Sequence, residues 1–138
     1  GFGVSRLILS GYTPFPTTPD DARLPHIATK LTSQIHKTAL GAENIVAFEH
    51  QDEPDLASLK RDGYVIGGLE QDPRSVKLSQ YSPPAKFVLL LGEEVAGIEP
   101  HLRQECDVLL EIPMKGRKES FNVSVATGIA LYGLTLVS

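Results

Sequence analysis

Two runs near the end of the chain decide how it is read. The first is Phe87-Val88-Leu89-Leu90-Leu91-Gly92-Glu93-Glu94-Val95-Ala96-Gly97-Ile98. The second is Val108-Leu109-Leu110-Glu111-Ile112-Pro113-Met114-Lys115-Gly116-Arg117-Lys118-Glu119-Ser120-Phe121-Asn122-Val123-Ser124-Val125-Ala126. Each opens with an apolar run of strand length and passes into a polar loop that contains glycine. Continuous apolar runs of that length suit strands buried on both faces, as in parallel sheets. In open α/β sheets, ligands sit outside the carboxyl ends of the strands. Both loops are therefore candidate ligand contacts.

Working outward, the same alternation covers the chain. Arg6–Leu9, Ile45–Phe48, Tyr64–Leu69, Phe87–Leu91 and Asp107–Met114 read as strands, and Ser75–Leu78 as a short extended piece. A helix is predicted after the proline-rich loop of Pro14, Pro16 and Pro19. Asp20 or Asp21 is its candidate cap, Ile27, Leu31, Ile35 and Ala39 its apolar stripe, and Gly41 its stop. Asp55–Arg61 reads as a short helix with Leu56 and Leu59 inward, Pro100–Cys106 as one or two helical turns, and Phe121–Val137 as the last helix. This order predicts an α/β fold: a mostly parallel sheet with helices on both faces.

The chain has 138 residues, which fits one domain. Hydrophobic residues make up 41% and charged residues 22%, an ordinary globular balance. The net charge of −4 gives no bulk signal of nucleic-acid binding, so any such surface must be local. Cys106 is the sole cysteine, which excludes an intrachain disulfide and fits a reducing compartment. No run approaches a membrane span. No signal peptide is read ahead of the first strand, so a cytoplasmic location is expected.

As bare patterns the motifs are modest. Gly92 to Gly97 is neither a dinucleotide fingerprint nor a Walker loop, and as a bare pattern an ordinary strand-to-loop turn with solvated carboxylates explains it better. Ser120 or Asn122 suits a helix cap. Lys115, Arg117 and Lys118 suit a phosphate contact or a solvated loop. His26, His36, His50 and His101 have no metal-ligand spacing, so no metal is assigned. Cys106 and Tyr132 read as packing residues. The last helix is apolar nearly all round, which calls for cover on both sides, a sheet on one and a partner subunit on the other.

At these residues the chain resembles the SpoU/TrmH branch of the SPOUT RNA methyltransferases. The family's Leu-Gly-Asn/Ser-Glu-Gly-x-Gly-Leu stands here as Leu91–Ile98. Its Ile-Pro-Met-x-Gly and Ser-Leu-Asn-Val-Ser-Val-Ala stand as Ile112–Gly116 and Ser120–Ala126. Lys37–Glu43 and Gly11–Pro16 also look like family segments. The resemblance implies a C-terminal trefoil knot, a homodimer, S-adenosylmethionine as cofactor, and methyl transfer to a ribose 2′-hydroxyl of tRNA or rRNA. It implies cofactor contacts at Leu69, Gly92, Ile112, Met114 and Phe121, and catalytic positions at Glu94, Ser120 and Asn122. Such chemistry depends on holding the hydroxyl oxygen in line with an activated methyl and drawing off its proton.

Three departures carry expectations of their own. The family's Asn-x-Gly-x-x-x-Arg motif has no counterpart, so residues 1–138 are expected to form a SpoU-type domain lacking its first strand and helix. With that motif goes the Arg the family uses on the hydroxyl, which leaves a catalytically inactive cofactor- or RNA-binding module as the alternative. Glu93 stands for Asn or Ser, and Phe121 for Leu. A generic doubly wound nucleotide-binding domain is a further alternative, supported by the alternation alone.

Overall fold

The structure is a computed structural model that describes residues 1–11, 13–117 and 120–136. Tyr12, Lys118, Glu119 and Val137, named above in a family segment, the charged loop and the last helix, lie outside the described residues. Backbone contacts separate into two compact units, one of residues 3–55 and one of residues 56–138.

The first unit holds β1 (Leu7–Ser10), α1 (Pro25–Ala39), a 3-10 turn (Ala42–Asn44) and β2 (Phe48–Gln51). β1 and β2 pair in parallel, Leu7 opposite Phe48 and Ser10 opposite Gln51. α1 begins with Pro25, whose missing N–H costs nothing at a helix start. The expected acidic cap is not used: Leu24 takes the cap position without a side-chain bond. Asp21 instead pairs with Arg23, Nη2 to Oδ2 at 2.6 Å. Arg23 also donates to the carbonyls of Phe15 (2.9 Å) and Pro16 (3.2 Å) and lies over the Phe15 ring at 3.5 Å. That ring stacks on His50, with centroids 3.9 Å apart. One guanidinium thus ties down the proline-rich loop. Of the expected α1 stripe, Leu31, Ile35 and Ala39 are half-buried, while Ile27 is exposed and the neighbouring Ala28 is buried in its place.

The second strand lies three residues later than expected. Leu40 and Gly41 both take left-handed conformations, φ 52° and 92°. The 3-10 turn follows and leaves Ile45 exposed, so the polar run Phe-Glu-His-Gln pairs with β1 in place of the apolar one. Backbone pairing decides a strand, and at a half-buried site it tolerates polar side chains.

The second unit contains α2 (Leu56–Arg61), β3 (Val65–Leu69), β4 (Val76–Lys77), a 3-10 turn (Leu78–Gln80), β5 (Phe87–Leu91), α3 (Pro100–Glu105), β6 (Val108–Glu111) and α4 (Val123–Leu136). Its four strands run parallel in the order β4-β6-β3-β5. β3 is the centre, with Gly67 opposite Leu89 on one side and Val108 on the other. Asp107 joins β6 to β3 twice: its N–H donates to the Ile66 carbonyl and its Oδ2 accepts from the Ile66 N–H, both at 2.8 Å. Leu56 and Leu59 point inward as expected. The core beneath α4 gathers Leu78, Leu110, Ala130 and Leu134, with Ile112 and Leu69 against it. Truncating a fully buried leucine such as Leu110 costs about 2–5 kcal/mol.

Both sheets are parallel, as the alternation predicts, but the pairing forms a two-stranded and a four-stranded sheet. α4 differs from its expectation in exposure. Ala130 and Leu134 are buried, while Val125, Ile129, Tyr132 and Leu136 are exposed. Tyr132, read as packing, is 55% exposed. Among the described residues, no helix is long and apolar enough to cross a membrane.

Candidate active site

At the carboxyl ends of β3, β5 and β6 a cavity of about 440 Å³ opens. The turn after β5 forms one wall. Glu93 and Gly97 exchange two backbone bonds, Glu93 N–H to Gly97 O at 3.2 Å and Gly97 N–H to Glu93 O at 3.0 Å. Gly97 sits at φ 71°, where an L side chain is strained. Gly92 lies so close to the returning chain that a Cβ there would come within 2.2 Å of the Gly97 carbonyl carbon and 2.3 Å of the Ile98 nitrogen. The glycines of the motif are thus required by the turn itself.

The stretch after β6 forms the other wall. Leu69, Gly92, Ile112, Met114 and Phe121 all line the cavity, and so do Glu94 and Ser120. Asn122 does not line it. Its Oδ1 accepts from the Ser124 N–H (2.9 Å) and hydroxyl (2.7 Å), and its own carbonyl accepts from Ala126 N–H (2.9 Å). Asn122 is therefore the cap of α4, and the amide oxygen is already used. Glu94 and Ser120 line the cavity from exposed positions; Lys115 and Arg117 are exposed on the loop and do not line it.

Sequence reasoning passed over Glu70. It lines the cavity from the end of β3, and its Oε2 accepts from Ile98 N–H at 2.8 Å. An acidic residue at the carboxyl end of the central strand is the signal that could have marked it. Arg103 was missed too; its Nη2 donates to the Ile98 carbonyl at 3.0 Å. Cys106 lies half-buried, and burial pushes its thiol above the usual range, so it is a poor nucleophile. Glu70, Glu93, Glu94 and Glu111 bring four glutamates to one cavity whose other walls are mostly apolar, with Gln71 and Ser120 as the remaining polar side chains. Such a lining favours a ligand that carries positive charge on an apolar body. A second cavity, of about 500 Å³, lies in the first unit among Thr17, Thr32, His36, Lys37, Glu43 and Phe48, and no sequence-predicted site residue lines it.

Residues 20–132 match the SpoU rRNA Methylase family. The tRNA (guanosine(18)-2′-O)-methyltransferase of Saccharomyces cerevisiae is 34% identical over 115 residues, covering 80% of this chain and 8% of that protein. The 23S rRNA (guanosine-2′-O-)-methyltransferase RlmB of Acinetobacter baylyi is 32% identical over 108 residues, covering 76% of this chain and 44% of that protein. The chain thus spans less than half the length of either relative. Among solved structures, the AdoMet-bound rRNA methyltransferase of Sinorhizobium meliloti superposes with a TM-score of 0.73 at 26% identity, over 96% of this chain and 46% of that one. With the parallel α/β architecture and the glycine turn in place, the matched span is decisive: this chain belongs to the SpoU rRNA Methylase family.

Proposed function

We propose that residues 1–138 act as one S-adenosylmethionine-dependent methyltransferase domain that methylates a ribose 2′-hydroxyl of tRNA or rRNA. The observation that carries this reading is that Leu69, Gly92, Ile112, Met114 and Phe121 line one and the same cavity. Its volume of about 440 Å³ lies in the usual range for small-molecule sites, roughly 300–1,000 Å³. Its apolar walls and four carboxylates suit a cationic sulfonium with an adenosine body. The cofactor, when bound, supplies the activated methyl.

The chain's own residues do the rest. Gly92, Ile112 and Phe121 offer backbone groups to the adenine side, and Leu69 and Met114 flank it. Glu94, at the mouth, takes the proton of the 2′-hydroxyl, and Ser120 orients that hydroxyl by hydrogen bonding. Asn122 contributes as the cap that aims the start of α4, leaving its Nδ2 as a donor. The same reading includes helices on both faces of the parallel strands, a C-terminal trefoil knot, a cytoplasmic location, and a homodimer supported by the exposed apolar row of α4.

A second reading is a cofactor- or RNA-binding module without catalysis, and the carboxylates around the cavity, which repel phosphates, favour its cofactor-binding form. Transfer of a labelled methyl from S-adenosylmethionine to tRNA or rRNA separates the two. Incorporation into ribose supports the enzyme. Cofactor binding without incorporation supports the module, and no calorimetric binding of S-adenosylmethionine by the folded protein sinks both the enzyme and the cofactor-binding module.

A further inference from the structure

We propose that Glu70 is a positioning residue of the cofactor cavity: together with Arg103 it holds the Ile98 backbone at both its N–H and its carbonyl and so fixes the Gly92–Ile98 turn against the end of β3. The inference rests on the function proposed above for what the cavity holds, but the clamp is a property of the protein alone.

The geometry is two-sided. On the N–H side, Ile98 donates to Glu70 Oε2 at 2.8 Å. On the carbonyl side, Ile98 accepts from Arg103 Nη2 at 3.0 Å. Ile98 itself is 2% exposed, so its polar backbone has no water to fall back on. Glu70 is anchored in turn: its N–H donates to the Leu110 carbonyl at 2.9 Å, and its carbonyl accepts from the Ser75 hydroxyl at 2.7 Å. Arg103 is steadied by Asp72, 3.7 Å away, two residues beyond Glu70. A Cβ on Gly97 would lie 2.4 Å from Glu70 Oε2, so the carboxylate fills the space a side chain would need.

The consequence follows from the turn's own weakness. Two backbone bonds between Glu93 and Gly97 close a short loop whose tip, Val95, is fully exposed. Such a loop opens readily unless it is tied from outside. Charge-assisted bonds from a carboxylate and a guanidinium are the stronger kind of tie. With the tie in place the cavity keeps its shape before a ligand arrives, and ordering the turn is not charged against binding.

The test compares wild type, Glu70→Gln, Glu70→Ala and Arg103→Met. Gln keeps a carbonyl oxygen for the Ile98 N–H; Ala does not. In ligand-free protein, amide exchange at Gly97 and Ile98 is expected to speed up by about tenfold or more in Glu70→Ala and Arg103→Met, with the centre of β3 unchanged. The S-adenosylmethionine dissociation constant is expected to rise by about tenfold in both variants and to stay within about threefold in Glu70→Gln. Unchanged exchange in Glu70→Ala or Arg103→Met overturns the clamp. Faster exchange with unchanged affinity overturns the positioning role. Wild-type protein that binds no S-adenosylmethionine overturns the proposed function instead, and the exchange experiment still decides the clamp. Arg103→Met keeps the test open if Glu70→Ala does not fold.

Discussion

At the scale of single residues, two positions make firm demands. Gly92 has no room for a methyl group because the obstacle is backbone, 2.2 Å and 2.3 Å away, which cannot step aside as a side-chain end can. Gly92→Ala is therefore expected to cost about 1–3 kcal/mol of stability and to abolish cofactor binding. Thermal unfolding followed by calorimetry checks both, and a variant that unfolds and binds like wild type refutes the account. Asp21 makes an electrostatic demand. The Arg23 side-chain hydrogen bond holds its carboxyl well below the usual carboxylate range, against an opposing effect of burial. Because the folded value lies below the unfolded one, about 3.9, the unfolded chain binds the proton first on acidification. The stabilisation is whole above that value and disappears as pH falls through the lower folded one. Denaturation between about pH 7 and about pH 2 should therefore lose less stability with acid in Asp21→Asn than in wild type. Equal slopes would remove Asp21 from the explanation.

At the scale of elements, the ends of α4 and α1 are informative. Asn122 caps α4, so Asn122→Ala should lower stability by about 1 kcal/mol, whereas Asn122→Asp, also a good cap, should restore it. Methyl transfer by the Asp variant then separates roles. Retained activity confines Asn122 to capping, and lost activity with restored stability assigns work to its Nδ2. At the other helix, Leu40 ends α1 at φ 52° with 85% of its surface exposed. Leu40→Gly removes a left-handed β-carbon and no core contact, and glycine's greater unfolded freedom offsets part of the gain. A net stabilisation on the order of 0.5 kcal/mol is expected, readable as a rise in melting temperature. A fall would mean that the exposed leucine is covered in solution.

At the scale of the whole molecule, the row of Val125, Ile129, Tyr132 and Leu136 at spacings of four, three and four runs along one face of α4. Helices of mean apolar character with one exposed apolar face ask for a partner, and a second copy is the commonest answer. Light scattering should give the mass of a dimer for wild type and of a monomer for Ile129→Asp combined with Tyr132→Asp. A monomeric wild type ends that proposal. Burying either aspartate at a dimer contact would leave an unpaired charge.

What the residues alone determined was the strand-loop alternation and the two glycine-bearing loops. Five apolar runs mark strands because parallel sheets bury both faces, and four of those assignments meet the observed strands directly. The polar strand Phe48–Gln51 escaped because its hydrogen bonds, invisible in composition, outweigh its side chains. The cavity-lining positions from Leu69 to Phe121 were legible through the family resemblance of the two motifs, and the turn's need for Gly92 and Gly97 is one physical reason such letters stay in the sequence. Only the tertiary structure decided which polar residues face the cavity and which support it. Asn122 turned inward to its own helix, and Glu70 and Arg103, 28 positions before and five after Ile98, met on the backbone of that one residue. Partners that far apart leave no local period or pattern, because their meeting is set by how β3 and β5 pair and by where α3 packs.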